Sequence, residues 1–156
     1  MNALNSVAPA IDDTTVAVGL QLAVTAGFAL LMVVMHTLGL VGISRLLKLR
    51  EDRLLKHDFD LSAIGLLASF GLLVLLLHMA EIAVFAVFFL LVSAMNLPEA
   101  LFYSASAYAT LGWTVDYFPT SWRLIGAVEA LIGFILIGWS TAFMVTTMRK
   151  LSESAK

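Results

Sequence analysis

Three long apolar stretches constrain this chain more than any other feature. Val16–Ile43 contains no Asp, Glu, Lys or Arg, and Leu61–Met95 and Trp122–Met148 are nearly as apolar. About 20 such residues in a helix cross the hydrocarbon core of a bilayer, and all three stretches are longer than that. The second would reach roughly 50 Å if fully helical, so it must tilt, protrude or bend. Only 13% of the 156 residues are charged and 61% are hydrophobic, whereas a soluble domain carries roughly 25% charge. Such a chain cannot cover a water-facing surface. It reads as a single all-α membrane domain with three transmembrane helices, and the lipid bilayer is its first partner. A net charge of −2 with no basic stripe gives no nucleic-acid partner. Absence of cysteine excludes disulfides and thiolate metal sites.

Charge placement sets an orientation. Arg45, Lys48, Arg50, Arg53 and Lys56 lie in a polar connector with Glu51, Asp52, Asp58 and Asp60, and Arg149, Lys150 and Lys156 follow the last stretch. Arg123 is the one remaining cation. Cytoplasmic segments collect Lys and Arg, so the connector and the C-terminal tail are expected inside and the N-terminus outside. The opening MNALNSVAPAIDD has no basic residue and two aspartates, unlike a secretory leader. It reads as a short tail before a retained helix. The expected organisation is therefore residues 1–60 for the tail, first helix and connector, 61–148 for a second unit, and 149–156 for a cytoplasmic tail.

That topology works only if residues 96–121 begin and end on the outer side. Within them, PEALFYSASAYAT starts with Pro98 and Glu99, which suit the first turn of a helix. About twelve helical residues cannot cross a bilayer. The segment therefore reads as a re-entrant helix, and backbone at such depth must be buried in protein or line water. The chain after Tyr108 is expected to line a cavity.

The stretch LPEALFYSASAYATLGWTVDYFPTSWRLIGAVEALIGFILIGWSTAFM resembles the pore module of potassium channels and related tetrameric cation channels. There a pore helix leads into a T-x-G-Y-G-D filter and then an inner helix. HMAEIAVFAVFF, from His78, resembles the outer helix of a small bacterial branch of that family. The resemblance runs from about His78 to Met148. It implies a homotetrameric potassium-channel-type pore in a bacterial inner membrane, with a pore helix and filter loop in each subunit. Carried over by position, Thr110, Leu111, Gly112, Trp113 and Thr114 would form the ion filter, Asp116 the outer mouth, and Gly133 and Gly138 a small-residue hinge on the inner helix. Rings of backbone carbonyls replace the hydration shell of a cation in such filters. One chain offers one filter segment, so a ring needs several copies about an axis. The cations it would pass are K+ or Na+, and Ca2+ if selectivity has changed.

The sequence departs from the pattern at the outer end of the filter. Thr114 stands where the family has its second Gly, Val115 where it has Asp, and Trp113 where it has Tyr or Phe. Asp116 comes one place later. A backbone conformation open to Gly is costly for β-branched Thr. The leading expectation is a cation channel with altered selectivity. A non-conducting or accessory subunit with the same fold, or a non-selective or calcium-permeable pore, remains an alternative.

Ionisable groups inside membrane segments usually face the protein interior. His78 and Glu81, three apart on one helix face, read as a polar contact holding the second helix against the pore helix. Glu129 reads as polar support facing the same helix through a Ser or Tyr. Gly126 reads as a packing position and His36 as a packed polar group. A metalloenzyme built on His36, His78 and Glu81 has no nucleophile or repeated ligand motif behind it, so no enzyme activity, resident metal or cofactor is expected.

Overall fold

The computed structural model describes residues 8–54, 59–112 and 122–154. These form four helices: α1 Ala8–Leu54, α2 Phe59–Val92, α3 Leu97–Tyr108 and α4 Arg123–Ser154. Three of them are long and apolar enough to cross a membrane, over Val18–Leu47, Ile64–Val92 and Arg123–Arg149. This places the chain among membrane-embedded proteins. α1 starts inside the stretch expected to be a tail and continues through most of the expected connector. Its 47 residues would extend about 70 Å, well beyond a hydrocarbon core of about 30 Å.

α3 is the short helix that the sequence places between the second and third spans. Asn96 caps it. Its side chain accepts a hydrogen bond from the Glu99 amide at 3.0 Å, and the Glu99 carboxylate accepts one from the Asn96 amide at 3.0 Å. This reciprocal box, with Pro98 in the first turn, satisfies amide groups that a helix start leaves unpaired. The start of α3 is therefore set by local chemistry as well as by packing.

α3 packs against α2 and α4, while α1 packs against α2 and α4. Two apolar clusters hold the bundle. One joins Met32 of α1, Phe85 and Phe89 of α2, Ala100 and Tyr103 of α3, and Ile125 and Leu136 of α4. Edge-on packing of Phe89 on Tyr103, with ring centroids 4.9 Å apart, ties α2 to α3, a geometry favoured by the ring quadrupoles. The other cluster joins Leu40, Ile43 and Leu47 of α1 to Leu66, Phe70 and Val74 of α2. A polar layer lies between the clusters, because each long helix carries a buried polar residue at the same level: His36 on α1, Glu81 on α2 and Ser140 on α4. Large apolar side chains such as Leu30, Leu91 and Phe134 remain exposed on the outside of the bundle, as expected of surfaces that meet lipid or another copy of the chain.

Candidate functional site

The end of α3 is built by hydrogen bonds that reach back into the helix. The Thr110 amide donates to the Ala107 carbonyl and the Leu111 amide to the Ser106 carbonyl, each at 2.8 Å. This pair of bonds, with Thr110 at φ +60° between them, is the Schellman arrangement of a helix end. Glycine usually occupies that left-handed position, and a β-branched residue there is strained. Gly112 is also left-handed, at φ +68°, whereas Leu111 is not.

The arrangement has a consequence for the carbonyls. All the peptide bonds among the described residues are trans, and in a planar trans peptide the carbonyl points opposite to the amide of the next residue. With the amides of Thr110 and Leu111 directed into α3, the carbonyls of Ala109 and Thr110 are directed away from it. Two successive carbonyl dipoles thus extend beyond the C-terminal end of a helix, which itself carries partial negative charge. Residues 109–112 are exposed, Leu111 by 72%. Trp113, Thr114 and Asp116 of the expected filter and mouth, together with Val115, lie outside the described residues.

The two expected hinge glycines stand in different surroundings. A Cβ on Gly133 would collide with the Tyr108 carbonyl oxygen and lie 2.9 Å from both the Tyr108 carbonyl carbon and ring Cγ. Gly133 is where α4 seats the end of α3. Around Gly138 nothing lies within 4 Å. Gly126 likewise makes room for the Tyr103 hydroxyl, a packing role.

Behind the carbonyl-bearing turn lies the polar layer, centred on the fully buried carboxylate of Glu81. His36 Nδ1 donates to Glu81 Oε1 at 2.8 Å, and the Tyr108 hydroxyl donates to Oε2. His78 Nδ1 lies 2.8 Å from the Tyr108 oxygen and 3.1 Å from Oε2. His36 Nε2 lies 3.2 Å from the Ser140 hydroxyl. A single assignment of hydrogens satisfies every contact: both imidazoles carry hydrogen on Nδ1, and Ser140 donates to His36 Nε2. The carboxylate then receives donors from α1, α2 and α3, and α4 joins through Ser140. His78 and Glu81, on α2, both reach the hydroxyl of Tyr108 on α3. The fold adds His36, Tyr108 and Ser140 to that pair. A histidine in the middle of an uncharged span needs a partner, and that was the available signal for His36.

Glu129, also fully buried, meets α3 through Ser104, with Oε1 2.5 Å from the Ser104 oxygen. Ser104 lies 2.9 Å from the Ile82 carbonyl as well. The Ser104 hydroxyl thus reaches two acceptors, the Glu129 carboxyl and the Ile82 carbonyl. The other oxygen of Glu129 has no partner among the described residues. Together Glu81 and Glu129 hold α3 from two sides.

No family model, no curated protein and no solved structure matches this chain.

Proposed function

We propose that the chain is one subunit of a homotetrameric cation channel of the potassium-channel type, set in a bacterial inner membrane with its N-terminus outside and C-terminus cytoplasmic. The observation that carries this reading is the turn after α3. A helix too short to span lies between two spanning helices and ends with the carbonyls of Ala109 and Thr110 directed outward. Carbonyls in that position are ligands for a dehydrated cation once several copies surround an axis. The left-handed Thr110 supports the same reading, since strain held in place by surrounding structure is common at functional sites. The exposed stripe on α4 formed by Leu131, Phe134, Ile135, Gly138 and Thr141 repeats at helical spacing on one face. That face is available to a water-filled axis and to neighbouring subunits.

The buried carboxyl groups fit the role of scaffold. Glu81 and Glu129 fix the orientation of α3, and with it the direction of its terminal carbonyls. Thr114 and Val115 leave the outer filter open to altered selectivity. The test is purified protein in a planar bilayer, with currents recorded under K+, Na+ and Ca2+ gradients. Cation currents that respond to Thr114→Gly with Val115→Asp are the expected result. Reversal at the potassium equilibrium potential would assign potassium selectivity to the native filter. Silence in both the native and the doubly substituted protein would overturn the channel reading, and currents only after substitution would mark a non-conducting subunit.

A further inference from the structure

We propose that His36, His78 and Glu81 form a binding site for a divalent transition-metal ion of the Zn2+ type, seated where the four helices meet. One ligand atom from each residue lies within 4.8 Å of the others. The edge distances decide whether an ion fits. With zinc–nitrogen and zinc–oxygen bonds of about 2.0–2.2 Å, neighbouring ligand atoms in a tetrahedron are about 3.3–3.6 Å apart. His36 Nδ1 is 2.8 Å from Glu81 Oε1, and His78 Nδ1 is 3.1 Å from Oε2. The two imidazoles face different oxygens of the same carboxylate, so an ion between them is seated by rearrangement of these side chains within a cluster whose ligand atoms all lie within 4.8 Å. Two imidazoles and one carboxylate suit zinc and its neighbours, and three protein ligands leave the fourth position for water or substrate.

The surroundings of His36 and Glu81 match what such ligands need. A ligating histidine donates from its second nitrogen to a fixed acceptor, and a ligating carboxylate accepts a supporting hydrogen bond. Binding through His36 Nδ1 moves its hydrogen to Nε2, where the Ser140 oxygen at 3.2 Å accepts it. The Tyr108 hydroxyl continues to donate to Glu81 Oε2. The hydrogens balance without proton release, since each imidazole shifts its hydrogen from Nδ1 to Nε2. His36 and Glu81 are fully buried while His78 is 13% exposed, so the ion would arrive past His78. An occupied site would join ligands on α1 and α2 with supporting groups on α3 and α4. It would therefore brace Tyr108, two residues before the strained Thr110.

The proposal stands apart from the channel reading, and its test uses no conduction. Full-length protein in detergent is titrated with Co2+, whose tetrahedral complexes absorb strongly in the visible. The expected result is a saturable tetrahedral spectrum at one ion per chain, bleached by Zn2+. Glu81→Gln and His36→Gln should weaken binding at least ~100-fold, and Ser140→Ala ~10–100-fold through the supporting hydrogen bond. His57→Ala, which removes the third histidine of the chain, should leave binding unchanged. Absence of a tetrahedral spectrum in the native protein at millimolar Co2+ overturns the site. So does a spectrum unaltered in Glu81→Gln, or one abolished in His57→Ala. Should Glu81→Gln and His36→Gln fail to fold, the native titration and Ser140→Ala still decide.

Discussion

Replacing Gly133 with alanine tests how the end of α3 is seated. An added methyl group would lie 2.9 Å from the Tyr108 carbonyl carbon and ring Cγ and closer still to the carbonyl oxygen. Carbon atoms prefer about 3.5–4.0 Å from carbon and about 3.3–3.6 Å from a carbonyl oxygen, and the oxygen is the nearer contact, so α4 and the end of α3 must separate by about 1 Å or more. Overpacking of that kind costs about 1–3 kcal/mol. Alanine also gains about 1 kcal/mol over glycine in a helix, which offsets part of that cost. Gly138→Ala provides the comparison, because it receives the same helical gain with nothing within 4 Å to obstruct it. The two variants should therefore differ by about 1–3 kcal/mol, with Gly133→Ala the less stable. Denaturant unfolding in mixed micelles, followed by circular dichroism, measures that difference. The same pair separates packing from flexing: Gly138→Ala should alter opening kinetics if Gly138 bends, without loss of stability. Equal stabilities for the two variants would refute the close seating of α3 on α4 at Gly133.

Further outcomes follow from the same geometry. Tyr108→Phe removes a hydroxyl that donates to a buried carboxylate and should destabilise the protein by about 1.5–3 kcal/mol, read by the same unfolding assay. Thr110→Gly relieves a left-handed β-branched residue and should stabilise by about 1–2 kcal/mol, so a loss of stability would mean that the Thr110 side chain contributes more than its strain costs. Asn96→Ala breaks the reciprocal cap of α3 and should cost about 0.5–2 kcal/mol, with faster amide exchange in the first turn of α3 by hydrogen-exchange mass spectrometry.

Much of the fold is legible in the sequence because membrane segments obey few rules. Length and apolarity mark the three spans, and Asn96, Pro98 and Glu99 begin α3 through contacts within four residues. The polar connector was less legible. Its charges look like a break, yet α1 continues through Leu54, because Arg, Lys, Glu and Leu are good helix formers whose charge does not end a helix. The pairing of His78 with Glu81 could be anticipated from their spacing of three on one face. Likewise Glu129 could be expected to seek a hydroxyl on α3, which it finds in Ser104.

The sequence by itself determined that this chain lies in a membrane as three long helices with a short one between the second and third, because the cost of exposing polar backbone to lipid leaves few alternatives. The tertiary structure alone decided which residues share a layer. His36, Glu81, Tyr108 and Ser140 are far apart along the chain and meet only when the relative heights of four helices are set. No local spacing encodes those heights, since they come from the packing of the apolar clusters on either side. The same packing places Gly133 under the Tyr108 carbonyl and leaves Gly138 open, although the sequence presents them as two similar glycines in one apolar helix.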